Sequence, residues 1–269
     1  MLLDYHMHLE NGDFSKEWAL SFWETASSRG ISEIGFSEHV YRFRQAIDIV
    51  DNDWARVRCT EDLDAYVSLI QKLQAEGYPI KLGLEIDYFP EKEETIRKLV
   101  DSYPFDYVLG SIHWLGSWGF DNPEWADEWE RRDLDQVYRE YFDLLKQAAS
   151  SGLFNSLSHP DVIKVFGHRP EGDLRALYQE VVQVIARNPG LCIEVSTAGL
   201  RKPVGRLYPE PEFLELAYKH RIPVTMASDA HYPQDAGADY PQAVEFLRQA
   251  GYQQITRFTA GKSVQVELG

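Results

Sequence analysis

Short β-rich runs alternate with amphipathic helical segments along the whole chain. The predicted strands lie at residues 2–8, 33–39, 80–87, 107–115, 155–159, 191–196 and 224–229. The predicted helices lie at residues 15–29, 61–77, 91–103, 134–151, 172–188, 209–220 and 240–250. Strands that alternate with helices form a parallel sheet, because each helix returns the chain to the same end of the sheet. Seven such units favour a closed α/β barrel, although periodicity alone does not distinguish a barrel from an open sheet.

Three segments interrupt this alternation. Residues 41–59 are predicted to be irregular and carry several arginines, and residues 265–268 form a weak last strand. Residues 116–133 form a long loop that holds Trp118, Trp125 and Trp129. A loop of this length is usually a lid or a binding loop, and aromatic residues that only pack the loop down are the alternative. Because no repeat or linker divides the chain, we expect a single domain over residues 1–269.

The composition fits one large soluble domain. The 269 residues are 44% hydrophobic, which is enough for a single core of barrel size. No apolar run is long enough to cross a membrane, and the first residues lack the basic start and apolar stretch of a signal peptide. The two cysteines, Cys59 and Cys192, are no disulfide framework. We therefore expect a soluble cytoplasmic protein.

The net charge of −16 limits the class of partner. Such a surface repels nucleic acid and anionic membranes, so binding to extended nucleic acid or to a membrane is not expected. A small phosphorylated substrate is compatible with this charge, because bound divalent cations reverse the field inside a pocket. The sequence leaves the oligomeric state open.

Histidines and carboxylates end most of the predicted strands. Six of the eight histidines fall at these ends, and the full set is His6 and His8, Glu38 and His39, Glu85 and Asp87, His113, His159, and Asp229 with His231. The carboxyl ends of barrel strands share one face, and chemistry is located there. His168 and His220 are the exceptions, and we expect them at the surface or in supporting positions.

This set of side chains exceeds the four or five ligands that one metal ion takes. Two or three divalent ions that share bridging groups are therefore expected. Mixed imidazole and carboxylate ligands suit zinc, manganese or iron, whereas magnesium prefers oxygen. Structural core histidines are the alternative, but so many buried rings in one mouth would be costly without metal.

Seven motifs resemble those of the PHP (polymerase and histidinol phosphatase) family, and within it the monofunctional histidinol-phosphate phosphatases. They span almost the whole chain in the same order, at residues 4–8, 37–39, 83–87, 106–113, 158–161, 197–201 and 228–231. The resemblance implies a distorted (β/α)7 TIM-like barrel with a trinuclear metal site.

The resemblance also implies a division of ligands among three ions. The first ion would take His6, His8, Glu85 and Asp229; the second would share Glu85 and add His113 and His159; the third would take His39 and His231. Family members often supply a further histidine to the third ion from the loop after the first strand. This chain has none there, so we expect Asp13 to replace it, with Glu10 as the other candidate. A helix-capping role is the alternative for Asp13.

The expected reaction is hydrolysis of a phosphate monoester, most simply L-histidinol phosphate in histidine biosynthesis, by a metal-bridging hydroxide. The residues expected to act in catalysis are His39, Asp229, His231 and Arg201. Arg201 is the first choice to hold the phosphate, and Lys164, Lys202 and Arg42 are weaker choices. The cationic part of the substrate would be held by Asp161, Asp87 or Glu38, and Asp4 would support the ligands.

Two other functions use the same residues. The first is a PHP phosphoesterase that acts on a nucleotide or oligonucleotide end, for which the arginines between residues 42 and 58 are the best support. The second is a metal-binding or regulatory module without enzymatic activity, which the complete set of strand-end ligands disfavours.

Overall fold

A computed structural model describes residues 1–50 and 52–269 and confirms the alternation of strands and helices. The strands are β1 (Leu3–Asp4), β2 (Glu33–His39), β3 (Ile80–Asp87), β4 (Tyr107–Ser111), β5 (Trp114–Leu115), β6 (Trp118–Gly119), β7 (Ser156–Leu157), β8 (Cys192–Ser196), β9 (Val224–Ala227), β10 (Gln254–Thr259) and β11 (Lys262–Glu267). The helices are α1 (Lys16–Ser28), α2 (Asp53–Arg56), α3 (Leu63–Ala75), α4 (Glu93–Asp101), α5 (Leu134–Ser150), α6 (Arg175–Ile185), α7 (Pro211–Lys219) and α8 (Tyr240–Ala250).

In the described residues, seven parallel strands form one sheet in the order β1-β2-β3-β4-β7-β8-β9. The sheet closes on itself just beyond β1 and β9. The amide of Tyr5 donates to Met226, the amide of His8 donates to Ala230 at 2.9 Å, and Met7 forms a parallel bridge with Ala230. The predicted barrel with seven strands is therefore confirmed.

Most predicted elements are present within a few residues of their expected bounds. The bounds of β2, β3 and α8 are those predicted, and Ser15 caps α1 by accepting a hydrogen bond from the amide of Trp18. The predicted strand over residues 107–115 is wrong at its end. It stops at Ser111, and residues 114–119 form the hairpin of β5 and β6, whose turn uses a positive φ at Gly116.

Other departures lie in the connections and at the end of the chain. The first strand is shorter than predicted, and the last one is longer and pairs with β10, which the sequence analysis missed. The segment 41–59 holds two turns of 3₁₀ helix and α2, and its residue Asp51 lies outside the described residues. The loop 116–133 holds β6 and a 3₁₀ segment over Pro123–Arg131.

The interior of the barrel is filled by an aromatic side chain that two glycines admit. A Cβ atom at Gly35 or at Gly83 would lie 2.3 Å from the ring or hydroxyl of Tyr107. The Tyr107 ring contacts Tyr5 and Phe258, with centroids 5.2 and 5.6 Å apart. Glycine on neighbouring strands thus makes room for a tyrosine inside the barrel.

The hairpin of β10 and β11 covers the amino ends of the strands. Arg257 pairs with Glu33 at the start of β2, and Lys81 near the start of β3 donates to Thr259 at 2.9 Å. Asp106, which precedes β4, accepts from the amide of Ala260 at 2.8 Å. The predicted histidine and carboxylate ligands lie at the opposite end of the barrel, at the carboxyl ends of the strands. In residues 1–50 and 52–269, no helix is long and apolar enough to cross a membrane.

Candidate metal centre

The carboxyl ends of the strands bring the predicted ligands together. We call His6, His8, His39, His113, His159, His231, Glu85 and Asp229 the ligand cluster. Strand register explains part of it: His39 ends β2 directly opposite Glu85 on β3, and the His39 Nδ1 lies 2.7 Å from the Glu85 Oε2. Parallel strands place these side chains at one mouth, as the sequence predicted.

Two members of the ligand cluster have a left-handed backbone. His159 has a φ of 23° and Asp229 a φ of 51°, and each follows its strand by two residues. Non-glycine residues avoid this region, and where it occurs the strain is commonly found at functional sites. Here the turn brings both side chains to the cluster instead of continuing the strand.

Two carboxylates link the imidazoles. Oε1 of Glu85 lies 3.3 Å from His6 Nε2 and 3.2 Å from His159 Nε2. The same oxygen lies 3.7 Å from His113 Nε2. Oδ1 of Asp229 lies 3.3 Å from Nε2 of His8 and 3.3 Å from Nε2 of His231. A carboxylate that lies among several imidazoles suits a bridge between ions.

In the described part of the chain, three groups of side chains have ligand atoms within 4.8 Å of one another. They are His6 with His8 and Asp229, His6 with Glu85 and His159, and His8 with His39 and His231. Each group contains two or more residues expected at one of the three ions, but His6 and His8 each occur in two groups and Glu85 in only one. His113 lies beside the second group, with its Nε2 3.4 Å from that of His159.

Several buried ligand atoms have no hydrogen-bond partner in the structure. They include Nε2 of His6 and both ring nitrogens of His8. Nδ1 of His39 and Oε2 of Glu85 lie close to each other but not in hydrogen-bond geometry. Leaving buried polar atoms unpaired costs about 1–3 kcal/mol each. Atoms of this kind, clustered and drawn from imidazoles and carboxylates, fit divalent metal ions of the zinc, manganese or iron type.

Four carboxylates lie against the remaining ring nitrogens of the ligands. We call Glu10, Glu38, Asp87 and Glu194 the supporting carboxylates. Glu10 lies 2.7 Å from Nδ1 of His231, and Glu38 lies 3.5 Å from Nδ1 of His8. Asp87 lies 2.8 Å from Nδ1 of His113, and Glu194 lies 3.0 Å from Nδ1 of His6. The contacts of Glu10, Asp87 and Glu194 are hydrogen bonds, and they fix the tautomer that leaves Nε2 free for a metal. Glu38 lies near His8 without a hydrogen bond to it.

The sequence analysis missed Glu194. This residue lies on β8, is fully buried, and contacts both His6 and the amide of His159. The sequence contains a signal for this role: an acidic residue inside the apolar run 191–196 needs a buried polar partner. Ser111 was missed as well, and its hydroxyl donates to Glu85 at 2.5 Å.

The electrostatics of the site couple these groups strongly. Burial alone would raise the pKa of Glu85, but the charges of His6, His39 and His113 outweigh burial and hold that pKa well below its usual range. Burial would lower the pKa of His231, but hydrogen bonds with Asp229 and Glu10 raise it to about 10. The neighbouring histidines thus favour the ionised form of Glu85, which is the form that binds a metal.

Asp13 is not brought to the ligand cluster. A turn closed by the amide of Gly12 on the carbonyl of Leu9 directs the chain outward, and the Gly12 backbone packs against the Trp18 indole. Asp13 is exposed after this turn, and Ser15 provides the cap of α1. Glu10, the other candidate, does reach the site, through its contact with His231.

The candidate phosphate-binding cations differ in position. Arg201 lies beside Asp229 and His231 at the rim, and its guanidinium donates to the carbonyl of Ser228. Lys202 lines the cavity described next and has no side-chain partner among the described residues.

Lys164, Arg42 and Asp161 do not line that cavity. Buried Lys164 lies between Asp161 and Glu210, at 2.8 and 2.9 Å. Arg42 pairs with Glu38 at 2.9 Å and is 12% exposed. These ion pairs balance the charges of the three side chains away from the cavity, so the structure does not support their expected roles in substrate binding. Asp87 and Glu38 are engaged as supporting carboxylates, and Asp4 accepts from the amides of Ser228 and Gly237.

A cavity of about 270 Å³ opens over the ligand cluster. Its wall includes Tyr41, Trp54, Trp114 and Tyr208, and its acidic lining includes Asp121 and Glu124. Of the three loop tryptophans, Trp118 and Trp129 are buried packing residues, and Trp125 packs on Trp114 with 5.6 Å between ring centroids. The tryptophans that line the cavity, Trp54 and Trp114, lie outside this loop. Outside the site, His168 stacks on Trp129 and His220 ends α7 at the surface, in line with their exclusion from the cluster.

Comparison with known proteins assigns the family. Residues 4–198 match the PHP domain. A Deinococcus radiodurans protein named "Probable histidinol-phosphatase" is 36% identical over 258 residues, which cover 95% of this chain and 96% of that protein. The Bacillus subtilis protein named "Histidinol-phosphatase" is 28% identical over 258 residues, covering 86% of this chain and 93% of that one.

A solved structure shows the same fold. It is the histidinol phosphate phosphatase of Lactococcus lactis subsp. lactis, complexed with zinc, L-histidinol and phosphate. Its TM-score to this chain is 0.77 with 23% identity, over 98% of both chains. Because the PHP domain matches residues 4–198 and the Deinococcus radiodurans protein is 36% identical over 95% of the chain, this chain belongs to the PHP family and is histidinol-phosphate phosphatase-like.

Proposed function

We propose that this protein is a metal-dependent phosphatase that hydrolyses L-histidinol phosphate to L-histidinol and phosphate in histidine biosynthesis. The observation that carries the proposal is the ligand cluster: six imidazoles with Glu85 and Asp229 in one mouth, several of their atoms buried and unpaired. The names of the relatives and the ligands of the Lactococcus lactis structure support the choice of substrate.

The site would hold two to three divalent ions of the zinc, manganese or iron type. When bound, such ions neutralise charge on phosphoryl oxygens and lower the pKa of water. The three groups within the ligand cluster support this number, and zinc in the Lactococcus lactis structure supports this class of metal. The supporting carboxylates contribute by accepting hydrogen bonds from the Nδ1 atoms of His6, His113 and His231, which holds each imidazole in one tautomer.

Arg201, at the edge of the site beside Asp229 and His231, would bind the phosphate, and Lys202 would be a second cation. Arg201 is held in place by Ser228 and Thr197, and its charge is partly balanced by Asp239 at 3.4 Å. A fixed guanidinium presents a planar fork to phosphate oxygens, whereas the ammonium of Lys202 acts as a mobile point charge. His39, Asp229 and His231 would act as ligands at the reacting centre beside Arg201.

The rival activity on nucleotide or oligonucleotide ends is less well supported by the cavity. Its acidic lining and the net charge of −16 oppose a polyanion. Of the arginines that favoured this rival, Arg42 is paired with Glu38, and Arg58 stacks on Trp54 with 3.9 Å to the ring centroid. A module without activity would not need the unpaired ligand atoms. The single domain over residues 1–269 and the cytoplasmic location stay predictions.

Phosphate release tests the proposal. Purified protein is assayed with histidinol phosphate, dinucleotides and p-nitrophenyl phosphate, with zinc, manganese or iron added, and its metal content is measured. We expect the highest kcat/KM on histidinol phosphate and two to three ions per chain. Preference for the dinucleotides would establish the rival activity, and no hydrolysis of any substrate by metal-loaded protein would leave only the binding module.

A further inference from the structure

Two segments outside the ligand cluster build an aromatic wall on the cavity. Trp54 comes from the segment 41–59 and Trp114 from β5, and their rings lie 5.5 Å apart with Tyr41 5.1 Å from Trp54. Arg58 stacks on Trp54 and lies 3.8 Å from Glu124 in the loop 116–133. The aromatic wall thus combines residues from the segment 41–59 and from β5.

The cavity is also lined by the carboxylate of Asp121, which is not paired with another side chain of the described residues. It accepts no hydrogen bond from another described residue. The acids first considered for the cationic part of the substrate are engaged elsewhere, Asp87 with His113 and Asp161 with Lys164. The charge of Asp121 acts on His113 and Tyr208, both of which line the same cavity.

The backbone around Asp121 is fixed. The amide of Phe120 donates to the carbonyl of His113 at 3.2 Å, and the Trp129 Nε1 donates to the carbonyl of Phe120 at 2.9 Å. The amide of Asn122 donates to Gly119 at 3.1 Å. The backbone that carries the Asp121 carboxylate is therefore anchored on both sides of this residue, beside the cavity.

A partly buried carboxylate without a partner favours a ligand that brings a positive charge. An aromatic wall next to it favours a planar or apolar group. A phosphate monoester whose alcohol carries an ammonium and a small ring meets both requirements, while its phosphate lies at the ligand cluster.

We propose that Asp121 binds the ammonium of the leaving alcohol while Trp54 and Trp114 contact its ring, so that the cavity selects phosphate monoesters of small cationic alcohols. This inference rests on the proposed phosphatase function and adds the residue that determines its specificity.

The test compares two variants on two esters. Asp121→Asn keeps the shape of the side chain and removes its charge, and Asp127→Asn is the matched control on an exposed position of the same segment. The esters are histidinol phosphate and 3-(imidazol-4-yl)propyl phosphate, which differ only in the amine. We expect Asp121→Asn to lower kcat/KM on histidinol phosphate by about tenfold or more relative to the desamino ester, the loss of one charged hydrogen bond.

The metal content and the binding of L-histidinol are measured on the same metal-loaded proteins. We expect the metal content of Asp121→Asn to equal that of Asp127→Asn, and the Kd of L-histidinol to rise by about tenfold. The binding measurement keeps the inference testable where turnover of the variant is too slow to measure.

Equal losses on the two esters, or loss of metal in Asp121→Asn, would overturn the inference, because Asp121 would then act on His113 or on the reacting centre. An unchanged Kd for L-histidinol would overturn it as well. If the unmodified enzyme hydrolysed neither ester, the proposed function would fail and the inference with it, whereas normal turnover by Asp121→Asn would refute the inference alone.

Discussion

The two ends of the barrel treat buried polar groups in opposite ways. At the amino end, the Tyr5 hydroxyl donates to Glu33, Arg257 contacts both oxygens of Glu33, and the Tyr107 hydroxyl donates to the carbonyl of Tyr5 at 2.6 Å. At the carboxyl end, His6, His8 and Glu85 keep buried atoms without partners. Both ends are packed, but only the amino end is satisfied by the protein alone.

The difference separates stability from function. A satisfied network of polar groups rigidifies a fold, whereas unpaired buried groups cost free energy unless a ligand completes them. The carboxyl end therefore depends on bound metal, and the supporting carboxylates show that the chain prepares the imidazoles for it. Substitutions at the carboxyl end should therefore change metal content and reaction rate. Substitutions at the amino end should change the free energy of unfolding.

The largest effect is expected from Glu85→Gln. The Glu85 carboxylate lies within 4 Å of five imidazoles of the cluster, so its loss should remove at least one ion per chain. Loss of an ion that stabilises the transition state by several kcal/mol corresponds to a fall in kcat on the order of a thousandfold. Elemental analysis and steady-state kinetics measure both. Glu91→Gln, at an exposed position, is the control, and full metal content with full activity in Glu85→Gln would refute the bridging role.

Arg201→Ala should act on substrate affinity without disturbing the metal. Arg201 is at the rim and contacts no imidazole of the cluster, so metal content should stay at the level of the unmodified protein. Loss of a charge-assisted contact to phosphate is worth about 1.5–3 kcal/mol, which raises KM roughly 10- to 150-fold. Arg139→Ala, at an exposed position, serves as the control. A rise in KM below about threefold would transfer the phosphate contact to Lys202.

Glu194→Gln should weaken metal binding while leaving the ligands in place. Both carboxylate oxygens of Glu194 lie 3.0 Å from Nδ1 of His6, and one also accepts from the amide of His159. Removing such a supporting carboxylate typically costs 10- to 100-fold in metal affinity, so about that loss is expected. Retention of metal against increasing chelator measures it, with Glu215→Gln as the control. An unchanged retention curve would show that His6 binds metal equally well without the Glu194 carboxylate.

The sequence predicted the side chains that meet in the ligand cluster better than it predicted the groups around them. His39, His113 and His159 were identified because strand ends converge whatever the details of the fold. Glu194 was missed because its role depends on which strand faces His6 across the barrel. Asp13 was predicted because the family resemblance places a ligand in the loop after the first strand, but Asp13 is exposed after the turn between Leu9 and Gly12.

Tertiary contacts also explain the other differences. Lys164 is an isolated cation in the sequence, yet its partner Glu210 lies 46 residues further along the chain. Strand β10 is missed because its residues alternate without a strong apolar run, and it forms a hairpin only against the starts of other strands. By contrast, β2 and β3 are almost continuously buried on both faces, which is the pattern that predicts parallel strands directly.

The smallest effect on activity is expected at the satisfied end, from Arg257→Ala. This change leaves the 3%-exposed Glu33 with Tyr5 and the more distant Lys81, whose Nζ lies 3.9 Å away. Because the Arg257 side chain is itself 38% exposed, we expect only about 1–3 kcal/mol of lost unfolding free energy.

Urea denaturation measures this loss, and Lys262→Ala on the same hairpin is the control. The double variant Glu33→Gln/Arg257→Ala should lose less than the sum of the single losses, because each change removes the same contact. Metal content and kcat/KM at 25 °C should stay at the level of the unmodified protein, since Arg257 contacts Glu33 at the amino end and none of the ligands. If Arg257→Ala instead lowered metal content before it lowered stability, the two ends would be coupled and their separation into a stabilising end and a catalytic end would be wrong.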